Sequence, residues 1–193
     1  PNINIANTIS TPSLEGPGKV KLFGSGSIKL QNLEEGKEEQ AKALAEKLSE
    51  SGLHAKFSDN IHYSIYRKAC VNGTMNGLCT ILDVNMAGLG QTSTAHKMVE
   101  TIVREFAAVA EAENIHLDIP EVIAHCESCF DPETIGLHYP SMYQDLIKNH
   151  RLTEIDYING AVSRKGKKYG IATPYCHFLT ELIHAKEDSL QVK

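Results

Sequence analysis

Residues 66–77 read Tyr66-Arg67-Lys68-Ala69-Cys70-Val71-Asn72-Gly73-Thr74-Met75-Asn76-Gly77, an apolar run carrying one lysine and two asparagines at four-residue spacing. On a helix, which turns about 100° per residue, Lys68, Asn72 and Asn76 fall within an arc of roughly 80°. Ile61, Ile65 and Met75 project into or beside that arc, so the polar row is expected to be buried. The run is also a costly helix. Two Gly at about 1 kcal/mol each and two Asn at about 0.6 add up to about 3 kcal/mol relative to alanine. A buried lysine on a costly helix points to a site. The alternative for Lys68 taken alone is an aliphatic stem that snorkels from a helix flank.

Outward from this segment the chain changes character. On the N-terminal side, Val20-Lys21-Leu22-Phe23 and Ser27-Ile28-Lys29-Leu30 alternate around Gly24-Ser25-Gly26, which predicts a hairpin with the glycines in its turn. Lys37–Ser51 reads as an amphipathic helix with Ala41, Leu44, Ala45 and Leu48 on one face, and His54–Phe57 as a short strand. On the C-terminal side no strand is evident. Asp59 is expected to cap a helix running to about Leu82. A second helix spans about Thr94–Glu113 with a core stripe of Met98, Ile102, Phe106 and Val109. Asp118-Ile119-Pro120-Glu121 is a capping box opening a helix to about Cys129, and Ser141-Met142-Tyr143-Gln144 reads as another. Thr153-Glu154-Ile155-Asp156 opens a helix ending near Gly170, and Pro174 precedes a last one to about Glu187. These elements predict an α+β chain. Residues 1–58 read as the last strands and helix of an α/β nucleotide-binding domain, and residues 59–193 as an all-α domain.

Composition narrows the partners. A net charge of −5 over 193 residues argues against a duplex nucleic-acid binder. No run of about 18 apolar residues offers a membrane span, and no signal peptide is visible. Five cysteines, an odd count, fit reduced thiols in a cytoplasmic protein better than a disulfide framework.

The segment at 66–77, Ser-Met-Tyr-Gln-Asp at 141–145 and Thr-Glu-Ile-Asp-Tyr-Ile-Asn-Gly at 153–160 resemble three ordered motifs of ketopantoate reductase (2-dehydropantoate 2-reductase). Leu14-Glu15-Gly16-Pro17-Gly18 with Gly24-Ser25-Gly26 is similar to the family's late nucleotide-domain segment. The resemblance implies a Rossmann-type domain followed by a helical domain like that of 6-phosphogluconate dehydrogenase. It implies NADPH-dependent reduction of 2-dehydropantoate to pantoate, on the route to pantothenate and coenzyme A. It places Lys68 as the catalytic lysine, Asn72, Asn76 and Ser141 as substrate-binding residues, and Glu154 between substrate, lysine and the nicotinamide end of the cofactor. Some members of the family form dimers, so a homodimer is expected.

Two departures stand out. Tyr66 occupies a position where relatives often carry tryptophan, a packing change. Gly24-Ser25-Gly26 lacks the third glycine of a G-x-G-x-x-G turn and opens no helix, so it is not the dinucleotide fingerprint. The chain therefore reads as the substrate side of the enzyme, inactive alone. The rivals are a related reductase of another 2-oxo acid and a non-catalytic helical interaction module.

The chemistry suits the residues. Hydride addition to a ketone leaves an alkoxide that a lysine ammonium can protonate, and burial lowers a lysine pKa toward working pH. Amides one turn apart bind a hydroxyl and a carboxylate without adding charge. Competing readings are local. Ser141 can be an N-cap paired with Gln144, and Glu154 a first-turn acid placed for the helix dipole. Gly73 and Gly77 read as close-packing positions. Arg164-Lys165-Gly166-Lys167-Lys168 reads as a solvated last turn, with phosphate contact as the alternative. His125, Cys126 and Cys129 have no second ligand pair at metal spacing, so no metal is expected.

Overall fold

Pro17 and Gly18 form the turn between two long antiparallel strands, β1 (Asn4–Gly16) and β2 (Lys19–Asn32). The computed structural model describes residues 2–192, and for residues 10–15 and 22–25 the backbone alone. Proline presets the first turn position and Gly18 supplies φ +72° at the second, a combination that type II turns favour. The hairpin expected around Gly24-Ser25-Gly26 is therefore corrected. Ile9 pairs with Ser27 and Thr11 with Phe23, so those three residues stand opposite Ser10 alone. They form a bulge within β2, where Gly26 takes φ +66° and the ladder resumes beyond it. β1 was not foreseen at all.

α1 (Glu38–Glu50) crosses from β2 to β3 (Ala55–Phe57), which pairs with β2 in parallel over Ile28↔Ala55 to Leu30↔Phe57. A helical crossover is what a parallel pair requires. Leu30, Ala41, Ala45 and Ala55 form the core here, with Ile28, Leu48 and Phe57 against it. Leu44, expected on the inner face, is exposed. The chain divides into two compact units, residues 1–65 and 66–193.

α2 (Ile61–Leu82) starts in the first unit. Its cap is Asn60, whose side chain accepts Tyr63 N–H at 3.0 Å, rather than the expected Asp59. Beyond it the described residues contain helices and loops only: α3 (Met86–Gly90), α4 (Ala95–Glu111), α5 (Ile119–Ser128), α6 (Ser141–Tyr143), α7 (Asn159–Tyr169) and α8 (Pro174–Ser189). The short α3 was missed. The rest follow the predicted order, and Ile102, Phe106 and Val109 of α4 are buried as the stripe requires. Met98 is half-buried.

From Gly73 to Thr80 every residue of α2 except Leu78 is buried. A helix enclosed on all sides must be apolar or internally satisfied. Thr74 and Thr80 meet that demand by donating their hydroxyls back to Cys70 O (2.9 Å) and Asn76 O (2.7 Å). The enclosure also needs missing side chains. A Cβ at Gly73 would lie 2.3 Å from the Phe106 ring, and one at Gly77 2.7 Å from Leu179 of α8.

Gly73→Ala gains about 1 kcal/mol in helix propensity but overpacks against Phe106, which typically costs about 1–3 kcal/mol. The expected result is a lower denaturant midpoint in Gly73→Ala that disappears when the same change is made on a Phe106→Leu background. Equal losses in both backgrounds would show that the ring is not what excludes the methyl group.

Candidate functional site

Lys68, Asn72 and Asn76 share one face of α2, and their burial is graded rather than uniform. Lys68 and Asn72 are half-buried, and Asn76 is 4% exposed. Phe106 of α4 and Leu179 of α8 pack directly against the Gly73–Gly77 stretch that carries Asn76. Asn76 Nδ2 is fully enclosed and has no hydrogen-bond partner among the described residues. Leaving such a donor unmade costs about 1–3 kcal/mol, comparable to the worth of one or two ordinary hydrogen bonds. A buried amide in that state calls for an explanation, and an acceptor on a bound molecule is a direct one.

Ser141 is the first residue of α6, not its cap; Pro140 holds that position. The expected capping box does not form, since Gln144 Nε2 donates to Tyr139 O at 2.9 Å instead. Proline just before Ser141 already sets the entry angle, and the Ser141 side chain is left exposed. Glu154 is also exposed. It precedes a single 3₁₀ turn at Ile155–Tyr157, and its carbonyl accepts Tyr157 N–H at 2.9 Å. The helix expected to begin there starts only at Asn159, after that turn.

Both segments are anchored near the C-terminal end of α2. Met142, next to Ser141, and Ile155, next to Glu154, share one apolar cluster with Ile183 of α8, and Ile81 of α2 packs against it. Tyr143 donates to Asp83 at 2.7 Å, just past the end of α2. Lys186 of α8 donates to Thr80 O at 2.6 Å, satisfying one of the carbonyls the helix end leaves open.

Several polar groups that frame α2 were not foreseen. Asn159, wholly buried, donates to Gly73 O at 3.0 Å. Arg67 grips Glu121 through Nε (2.9 and 3.0 Å), an ion pair that joins α2 to α5. Asp118 still caps α5 by accepting Glu121 N–H at 3.1 Å. Glu105 of α4, 8% exposed, accepts Tyr175 N–H (2.9 Å) and Cys176 N–H (2.7 Å) at the start of α8. A lone acid on an otherwise apolar face of α4 was the available signal.

The basic run at 164–168 is corrected in part. Lys167 and Lys168 are exposed, as a solvated turn requires. Lys165 instead donates to Glu113 (2.7 Å) and to Tyr66 Oη (3.1 Å), and Tyr169 donates to Glu113 at 2.9 Å. Tyr66 donates to the same carboxylate, so its hydroxyl does more than a packing change would. Burial alone would raise the Glu113 pKa, but these three donors outweigh it and bring it down to about 2. The Tyr66 hydroxyl moves up, through burial first and the neighbouring carboxylate second.

Burial pushes the Cys126 thiol up to about 12 and raises that of Cys129, while burial and then the Arg67 guanidinium lower His125. No set of three or more His, Cys, Asp or Glu converges among the described residues. Among the described residues no helix is long and apolar enough to cross a membrane.

Residues 60–187 match the family model described as ketopantoate reductase PanE/ApbA C terminal. The chain belongs to the ketopantoate reductase family. A 2-dehydropantoate 2-reductase of Lactococcus lactis subsp. lactis is 76% identical over 192 residues, covering 100% of this chain and 62% of that protein. One from Streptococcus pyogenes serotype M3 is 44% identical over the same span, again 62% of its own length. A solved ternary structure of D-mandelate dehydrogenase with NADH and anilino(oxo)acetate is 83% identical, with a TM-score of 0.94, over 98% of this chain and 61% of that one. The chain thus spans about three fifths of the relatives it matches, and the family match falls on the segment that carries all three motifs.

The Glu113 cluster yields a pH test. Its folded pKa of about 2 lies below the ordinary 4.5. The stabilisation it carries is therefore complete above pH 4.5 and is lost as the pH falls toward 2. Unfolding free energy should rise with pH across that window, and Glu113→Gln should flatten the rise in acid denaturation curves. An unchanged slope in the variant would assign the dependence to other carboxylates.

Proposed function

We propose that this chain supplies the substrate-side helical domain of a nicotinamide-dependent 2-oxo acid reductase, with 2-dehydropantoate as substrate and NADPH as hydride source. The observation that carries the reading is the row on α2, a half-buried lysine followed one and two turns later by asparagines. The last of these presents an enclosed amide with no acceptor among the described residues. The names of the Lactococcus and Streptococcus relatives support the same substrate. Its product would be pantoate, a precursor of pantothenate and coenzyme A. A homodimer and a cytoplasmic setting belong to the same proposal, on the strength of the family resemblance.

In this reading Asn72, Asn76 and Ser141 orient the 2-oxo acid through its carboxylate and hydroxyl oxygens. When bound, the cofactor supplies the hydride that adds to the carbonyl carbon. The turn that would hold its pyrophosphate is not at Gly24–Gly26, which lies within a strand. Lys68 Nζ gives a proton to the oxygen that becomes the hydroxyl, and the lysine is reprotonated from solvent. Glu154, exposed on its anchored segment, faces the nicotinamide end. A general acid of this kind typically contributes about 10²–10⁴ in rate.

A second reading rests on one comparison. The 83% identical structure is named a D-mandelate dehydrogenase and was solved with NADH. That favours a 2-oxo acid bearing an aromatic group, reduced with NADH, through the same lysine and amides. The two differ only in what the pocket accepts beyond the 2-oxo carboxylate.

In a full-length protein carrying this chain, Lys68→Ala is expected to lower kcat by about two to four powers of ten. Near-normal turnover would remove the assignment. Comparing kcat/KM for 2-dehydropantoate and phenylglyoxylate, each with NADPH and NADH, separates the two substrate readings. A full-length protein that binds neither cofactor nor either acid would leave the helical unit as an interaction module.

A further inference from the structure

The last two turns of α8 send three side chains into other segments, and two of them meet the chain on either side of Glu154. Glu187, 4% exposed, accepts Thr153 N–H on Oε1 at 2.8 Å. Its Oε2 lies 3.5 Å from His184 Nδ1, and His184 Nε2 lies 3.2 Å from Asp156 Oδ1. Arg164 of α7 adds a bond to Asp156 O at 2.7 Å. The Thr153–Asp156 segment is therefore held at both ends, with Ile155 buried between them, Asp156 ion-paired and the exposed Glu154 making none of these bonds. The third side chain, Lys186, holds Thr80 O of α2.

Local stability does not account for an acid at 187. Burying a carboxylate is costly unless it is paired and hydrogen-bonded, and a negative charge in the last turn of a helix opposes the dipole. An apolar residue there would avoid both penalties. What offsets them is the Thr153 amide and the His184 ring, groups whose common effect is to fix the backbone around Glu154.

We infer that Glu187 and His184 are positioning residues that hold Glu154 in the orientation needed to bind the nicotinamide cofactor. This rests on the reading of Glu154 given above. Because α8 also holds the end of α2 through Lys186, one helix sets the placement of Glu154 relative to the Lys68 row.

The test is a double-mutant cycle in a full-length protein carrying this chain. It reads the dissociation constant for NADPH or NADH, whichever the parent protein binds more tightly. Glu154→Ala should weaken binding about tenfold, and Glu187→Ala should come within a factor of about three of that loss. The double variant should be no worse than Glu154→Ala alone, because coupled neighbours are non-additive while independent sites add. Glu187→Gln, whose amide oxygen can still accept Thr153 N–H, should recover most of the affinity. Amide exchange at Thr153 should accelerate in Glu187→Ala and not in Glu187→Gln. Should Glu187→Ala not fold, His184→Ala, on a side chain 40% exposed, enters the same cycle.

Multiplying losses in the double variant overturn the inference while leaving the Glu154 reading intact. So does unchanged affinity in Glu187→Ala, or in His184→Ala where that variant replaces it. Unchanged affinity in Glu154→Ala overturns both.

Discussion

α2 can run through the middle of the helical unit only because two of its residues carry no side chain. At Gly73 the Phe106 ring occupies the space of a Cβ, and at Gly77 Leu179 does the same. Those contacts fix how far α2 lies from α4 and α8, and with them its rotation. Asn159 adds a polar stop at the Gly73 carbonyl. The helix gives up about 2 kcal/mol of intrinsic propensity at the two glycines, a loss that close packing along the buried stretch outweighs. The face that results carries Lys68, Asn72 and Asn76, so the packing constraint and the candidate site are one arrangement.

The polar groups around α2 divide by what they do. Glu105 satisfies two amides at the start of α8, and Arg67 with Glu121 ties α2 to α5. Glu113 gathers Tyr66, Lys165 and Tyr169 into one cluster. Each of these carboxylates is matched by donors from the protein itself. Among the described residues Asn76 Nδ2 and Asn159 Oδ1 are enclosed without a partner, and Glu154 is held out on a gripped segment. Unmatched groups on rigid supports are the expected signature of a site that completes itself with a ligand.

The helical half was legible because its signals are local. Asp118-Ile119-Pro120-Glu121 starts α5 through a cap bond between residues three apart, and the α4 stripe follows from a 3.6-residue period. Where reading failed, two local signals competed. Pro17-Gly18 and Gly24-Ser25-Gly26 both look like turns, and the longer glycine cluster hid the real one; only the strand register shows that it is a bulge. Asp59 and Asn60 are both good caps, and the helix used the nearer. Ser141 fits a capping box on paper, yet Pro140 and the bond from Gln144 to Tyr139 remove the need for one.

Sequence by itself determined the order of the longer helices, that a lysine and two amides would line up on one of them, and which family the motifs resemble. These follow from periodicity and residue chemistry within about a dozen positions. Tertiary structure alone decided that burial of the row increases toward Asn76, that Lys165 serves a carboxylate rather than solvent, and that α8 grips both sides of Glu154. The reason is physical: those outcomes depend on contacts between residues 28 to 106 positions apart. Nothing in the spacing of a chain specifies which distant side chain will fill a given gap.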